Sequence, residues 1–222
     1  MNLDGHVNSL DAAIILQYDA GLISSLPQKP TPPPQATPTP NPTPRPPGTV
    51  LYQADWSQGA NGWAGLFGWS WLNGQLLNDG SNSSNRNWIP APRDPGQNDY
   101  AVEAEIQLTS TGSGCPSFGV VARAASTTQG FQGGPNSQNG FCDGPQIKLW
   151  TLSGQELTVR QFSAGNGWHT YRLEARANSL RLLVDGVELI AVSDNRYLTG
   201  GQVGLWSSGD QIAVRSFKVV AL

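Results

Sequence analysis

The sequence predicts an all-β domain over residues 50–222, built as a two-sheet antiparallel sandwich. Three observations predict it. The chain has 26 Gly, 17 Pro and 8 Trp in 222 residues but only 13% charged residues. Low charge with many turn residues and β-formers belongs to folds of many short strands. Apolar and polar residues alternate with period two in stretches such as YAVEAEIQL, the pattern of a strand with one buried face. Asp185-Gly186 separates two further apolar runs, LRLLV and VELIAV, and Asp-Gly is a strong two-residue hairpin signal.

Residues 1–26 read as a metal loop running into a short helix, NLDGHVNSLDAAIILQYDAGL. In an EF-hand-type calcium loop, oxygen ligands sit at positions 1, 3, 5, 7, 9 and 12, with Gly at position 6. With Gly5 at the glycine position, the ligand set is Asn2, Asp4, the His6 carbonyl, Asn8 and Asp11. The first ligand would precede Met1, so calcium is expected to bind weakly. Leu10, Ile14, Ile15 and Tyr18 mark one helical face, and Gly21 is the expected stop. The run VNSLDAAIILQY resembles the loop-to-helix part of a type I dockerin repeat. That resemblance implies docking onto a cohesin-like domain; dockerins carry two such repeats, and part of one is present here.

Residues 27–49 hold 11 of the 17 prolines. Such a Pro/Thr segment has little to bury and is expected to be a disordered, extended linker spanning up to roughly 70 Å. Linkers of this kind belong to modular extracellular proteins. Met1 is followed by no basic region or apolar run of the export-signal type, so the chain is expected to be a fragment of a longer secreted protein. Net charge is −3, without the basic stripe that nucleic-acid binding requires. No apolar run reaches the roughly 18 residues of a membrane span.

Within 50–222, strands are expected at 50–56, 69–78, 100–108, 117–124, 145–151, 155–161, 169–177, 180–192 (folded at the Asp-Gly turn), 201–207 and 211–220. That is too many for one open sheet, and two packed sheets bury them. Cys115 and Cys142, set in Gly-, Pro- and Ser-rich surroundings, are read as a disulfide, which implies an oxidising compartment. The run DWSQGANGWAGLFGWSWLNGQLLNDG and the closing stretch from GWHTYRLEARA to the C-terminus are similar to concanavalin A-like lectin/glucanase domains, especially 3-keto-disaccharide hydrolase-like and laminin G-like members. The resemblance implies a jelly roll. It is weak for function, because this fold hosts lectins, glycosidases and inert spacers.

Glucanases of this fold carry alternating carboxylates on one strand. Glu103 and Glu105 are the nearest candidates, with Gln107 or Leu108 where the third acid would stand. His6 and His169 have no nucleophile beside them in sequence. Aromatics are the better lead, because sugar C–H faces stack on indole and phenol rings while polar side chains bond the hydroxyls. The resemblance puts Trp63, Trp69, Trp168 and Trp206 in the core. Trp71 and Trp88, with Arg86 and Arg93, form the expected binding surface. A second patch is the long loop 125–145, offering Phe131, Asn139, Phe141 and Asp143, with Arg123 beside it. Asp194 and Asp210 lie in late turns.

The leading expectation is a non-catalytic carbohydrate-binding or adhesion module of a secreted modular protein, its partner a polysaccharide or other glycan. One alternative is a glycoside hydrolase-type enzyme acting on polysaccharide or 3-keto-disaccharide. The other is a structural or assembly subunit that joins a cohesin-like domain or copies of itself.

Overall fold

The computed structural model describes residues 7–26, 44–60, 62–63, 67–81, 88–111, 116–136 and 144–222. The chain divides into two units, Met1–Asn41 and Pro42–Leu222. In the first, helix α1 spans Ser9–Asp19. Asn8 caps it: its side chain accepts the Leu10 N–H at 2.8 Å, and the Asp11 carboxylate accepts the Asn8 N–H at 3.1 Å. This reciprocal capping box satisfies amides that would otherwise be orphaned at a helix start. Gly21, at φ +70°, follows the helix end as expected. Leu10, Ile15, Leu16 and Tyr18 stay exposed.

In the second unit the described residues form fourteen strands. They are β1 (Val50–Gln53), β2 (Trp69–Leu72), β3 (Gln75–Asp79), β4 (Trp88–Pro90), β5 (Tyr100–Thr111), β6 (Phe118–Ala124), β7 (Phe131–Pro135), β8 (Gln146–Thr151), β9 (Glu156–Gln161), β10 (Trp168–Arg176), β11 (Ser179–Val184), β12 (Val187–Ser193), β13 (Gln202–Ser207) and β14 (Asp210–Ala221). An eight-stranded antiparallel sheet runs β12-β11-β10-β5-β14-β3-β2, with β1 also pairing β14. A six-stranded antiparallel sheet runs β4-β13-β6-β7-β8-β9. The two form a jelly-roll sandwich.

Alternation builds the core. Tyr100, Val102, Ala104, Ile106 and Leu108 of β5 point inward, as do Ile212, Val214, Phe217 and Val219 of β14 and Val120, Ala122, Ile147, Leu149 and Leu205 of the facing sheet. Burying each large side chain contributes about 1.5–3 kcal/mol. Trp63 and Trp69 are in this core as expected, and Trp63 meets Phe217 edge-on at 4.9 Å. The Asp185-Gly186 hairpin forms with φ of 51° and 80°, the left-handed pair that a type I′ turn needs.

Several expectations are corrected. The strand expected over 69–78 is two strands folded at Asn73-Gly74, with φ of 51° and 74°. The loop expected over 125–145 contains β7, and Phe131 is fully buried there. A glycine-rich strand fits because the facing sheet and the neighbouring strand leave no room for side chains. A Cβ at Gly133 would lie 3.1 Å from Leu182, and one at Gly134 would run into the Phe118 carbonyl. Trp88 is in a strand, β4, rather than in a loop. Trp168 is only partly buried, on the outward face of the eight-stranded sheet. Trp206 is buried, but in a separate cluster on the other side of its sheet.

Most of the linker segment and both cysteines lie outside the described residues. The last residues before 50 are joined to the sandwich. Gly48 N–H donates to the Ala221 carbonyl at 2.9 Å, Ala221 N–H donates to Thr49 at 2.8 Å, and Arg45 N–H donates to the Gln97 side chain at 3.0 Å.

Candidate functional site

Successive residues of a strand face opposite sides of its sheet. On the six-stranded sheet, the neighbours of the core residues face away from the sandwich interior. Trp88 pairs with Trp206, and Trp206 with Gly119. In the next row Gly204, Val121, Gln132 and Trp150 stand in register across β13, β6, β7 and β8. Lys148 pairs with Gly134. The Trp150 and Trp206 rings lie 5.7 Å apart at 58°. A Cβ on Gly204 would sit 3.0 Å from the Trp88 ring, so this indole covers the Gly204 backbone. Three tryptophans therefore line a sheet face that is not the core, with a glycine pair, Gly119 and Gly134, between them and Lys148.

The polar groups of this face are unusual for their burial. Gln132 and Lys148 are 3% and 6% exposed. The Lys148 ammonium is 2.9 Å from Glu156 Oε2, whose side chain reaches the surface at the β9 margin. Among the described residues the buried indole N–H groups of Trp88, Trp150 and Trp206 have no hydrogen-bond acceptor, as is also the case for Trp56, Trp63 and Trp69 in the core. Trp150, Trp206, Gln132 and Lys148 are buried, and Trp88 is the one ring of the three left partly exposed for stacking.

Of the described residues picked from sequence as ligand contacts, Trp88 is on this face. Trp71 lies 42% exposed in β2, an edge of the other sheet, where its indole N–H donates to the Trp56 carbonyl. Arg93 is exposed in the connection between β4 and β5. Arg123 is no surface ligand. It is fully buried, with Nη1 donating to Ala177 at 2.6 Å and Nη2 to Asn98 at 3.0 Å. Arg86, Asn139, Phe141 and Asp143 lie outside the described residues, as do Asn2, Asp4 and His6 of the metal loop. Asn8 and Asp11 are engaged in the helix cap. Asp194 is paired with Arg196 at 2.9 Å, and Asp210 is buried and accepts the Ser117 N–H.

Lys148, Gln132 and Trp150 were missed. The signal for two of them was present: in QIKLWT, Lys148 and Trp150 alternate with Ile147 and Leu149. The period marks them as one face of a strand but does not say that this face carries a ligand.

Glu103 and Glu105 project from β5 onto the outward face of the eight-stranded sheet, into a ladder of ion pairs. Glu103 lies 3.0 Å from Arg172 and 2.7 Å from Lys218. Arg172 continues to Glu174 at 2.8 Å, and Arg181 joins Glu174 at 2.9 Å and pairs with Glu188. Glu105 pairs with Arg215, whose guanidinium lies 4.6 Å over the Trp168 ring. Burial alone would raise the Glu103 carboxyl, but bonds from Lys218 and Arg172 outweigh it and hold it below the ordinary range. A glycosidase acid requires the opposite shift. His169 Nδ1 is 2.6 Å from Asp185 Oδ2, so this histidine braces the hairpin beside it.

The architecture defined by these sheets is a two-sheet antiparallel jelly roll. No family model and no curated protein matches the sequence. Among solved structures the chain is similar to the carbohydrate binding module CBM66 from Bacillus subtilis, with a TM-score of 0.61 and 14% identity over 72% of this chain and 96% of that one. It is also similar to the exoplasmic/lumenal domain of VIP36 in its Ca2+/Man3GlcNAc-bound form, with a TM-score of 0.53 and 11% identity over 79% and 90% of the two chains. A third likeness is to the GH43 protein BlXynB from Bacillus licheniformis, with a TM-score of 0.52 and 15% identity over 69% of this chain, which spans only 34% of that one. At these identities the likeness is one of fold.

Proposed function

We propose that residues 50–222 form a non-catalytic carbohydrate-binding or adhesion module of an extracellular, modular protein. The observation that carries this reading is the outward face of the six-stranded sheet, where Trp88, Trp206 and Trp150 share one surface with Gln132 and Lys148. Trp88, the partly exposed ring of that cluster, stacks on sugar C–H faces, with Trp150 and Trp206 buried in the same cluster. The carbohydrate-binding and lumenal domains that share the fold support the same reading. Affinity electrophoresis against a panel of soluble polysaccharides tests it. Retention that disappears in Trp88→Ala, with the melting transition still cooperative, is the expected result. Mobility unchanged on every glycan would reject the reading.

A second reading concerns the N-terminal segment. Helix α1 leaves Leu10, Ile15, Leu16 and Tyr18 exposed, and an isolated helix of this length is marginal in water. It acts as a docking element, toward a cohesin-like domain or a second copy of the chain, with residues 27–49 as its spacer. Calcium held weakly by the Asn2–Asp11 loop would steady it. Sedimentation of the full chain with and without calcium and a cohesin tests this; a monomer under all conditions would reject it. The extracellular assignment carries a Cys115–Cys142 disulfide, checked by a mass about 2 Da lower before reduction.

A further inference from the structure

We propose that the Asn166-Gly167 turn is a site of self-modification, where Asn166 closes to a succinimide that opens to aspartate or isoaspartate. The sequence has four Asn-Gly pairs, and Asn73-Gly74 and Asn166-Gly167 are the two that fall wholly among the described residues. In this reaction the glycine nitrogen gives up its proton and attacks Cγ of the asparagine side chain. A bond forms between that nitrogen and Cγ. The bond from Cγ to the side-chain nitrogen breaks, and this nitrogen takes a proton and leaves as ammonia. Water then opens the five-membered ring at either carbonyl. The step needs a base for the amide proton, a donor for the charge that moves onto the peptide oxygen, and an asparagine free to swing.

The fold brings all three to Asn166. Asn166 and Gly167 are exposed in the turn that leads into β10. Among the described residues no hydrogen bond holds the Gly167 N–H. Gln107 Nε2 donates to the Asn166 carbonyl at 2.8 Å. That oxygen takes up negative charge when the Gly167 nitrogen loses its proton, and a donor already aimed at it stabilises the anion more than the neutral peptide. The base is His169. Its Nδ1 lies 2.6 Å from Asp185 Oδ2. An ionised carboxylate only accepts, so Nδ1 carries the ring proton and Nε2 is left as the basic nitrogen. A Cβ built on Gly167 would lie 3.6 Å from Nε2, close enough for one water to carry the Gly167 proton. A carboxylate that fixes the tautomer, a base beyond it and a donor on the developing charge are the parts of nucleophilic acyl transfer. Here attacker and target are adjacent residues.

Asn73 provides the contrast. It holds a left-handed φ of 51° in a two-residue hairpin, and Leu72 pairs with Gln75 across it. Closing the ring there requires rotation about the Asn73 Cα–C bond, which breaks the turn. Among the described residues no side chain donates to the Asn73 carbonyl.

The test incubates the full chain at neutral pH and follows both Asn-Gly peptides by mass and by isoaspartyl methyltransferase labelling. In the folded chain Asn166 should convert about tenfold faster than Asn73. In urea the two rates should become equal. Gln107→Leu should slow Asn166 about fivefold, and His169→Ala about tenfold, with imidazole added to the buffer restoring the second. Conversion at Asn73 should be the same in both variants, which makes it an internal clock. A substitution that merely loosened the turn would speed Asn166, so a rate unchanged or raised in both variants would overturn the proposal. So would Asn73 converting first in the folded chain, or one ratio of the two rates with and without urea.

Discussion

The Arg123 backbone N–H donates to the Tyr100 hydroxyl at 2.8 Å, joining β6 of one sheet to β5 of the other. Arg123 holds a left-handed φ of 53° while its guanidinium binds the Asn98 and Ala177 carbonyls on the far side. One residue thus bonds to two separate parts of the chain, residues 98–100 and Ala177. Tyr100→Phe should cost about 1–3 kcal/mol, because it leaves the Arg123 amide buried without a partner. Arg123→Met should cost more, since two carbonyls lose charged donors. Denaturant melts of both variants and their double mutant would check this, with strong non-additivity expected.

Acid should destabilise the sandwich through particular carboxylates. Burial raises the Asp185 carboxyl, but bonds from His169 and the Thr170 N–H outweigh it and leave it depressed. Arg196 likewise depresses Asp194 against burial, and Glu103 is depressed in its ladder. A depressed carboxyl contributes stability that is complete above its unfolded value, about 4, and is lost as pH falls through the folded one. Asp185→Asn should lose about 0.5 kcal/mol at neutral pH, solvent screening included, and the difference should vanish in acid. Melting temperature against pH would show it.

Two glycines should respond differently to alanine. At Gly186 φ is +80° but the space for a Cβ is open, so Gly186→Ala should cost about 1 kcal/mol of backbone strain. At Gly134 the added carbon meets the Phe118 carbonyl and lies close to the Gly119 backbone. Gly134→Ala should therefore cost about 3 kcal/mol or prevent folding, because β6 and β7 must separate. Equal costs would mean that the two strands are less closely apposed.

Trp71 and Trp88 separate two views of where sugars bind. Trp71→Ala should leave glycan retention unchanged and cost at most about 1 kcal/mol, from a partly exposed ring and one bond to Trp56. Trp88→Ala should abolish retention. The reverse pattern in affinity gels would move the site to the β2 edge.

Much of the fold was legible because period-two alternation and turn chemistry act locally. β5, β10 and the Asp185-Gly186 hairpin are written in a few adjacent residues. β7 was not, because Phe-Gln-Gly-Gly-Pro reads as a loop until Leu182 and Phe118 are seen to occupy the space its side chains would need. The site was less legible still. Trp88 was picked for the company it keeps in sequence, yet its partners are Trp206 and Trp150, which lie far along the chain. Arg123 looked like a surface ligand because nothing local announces that Ala177 and Asn98 will enclose it. Alternation tells which residues share a face, but only the order of strands tells which faces meet.

The pairing of Thr49 and Gly48 with Ala221 has a consequence for engineering. The polypeptide arrives at the sandwich and departs from it at neighbouring points, about 5 Å apart as in any paired ladder. Domains whose ends adjoin in this way tolerate insertion and circular permutation. Residues 45–222 could therefore be spliced into an exposed turn of a host protein as a closed bead, without stretching either crossing. A permuted form, with new termini opened at Asn73-Gly74 and the old ones joined by a few glycines, would keep every rung of β5 on β14.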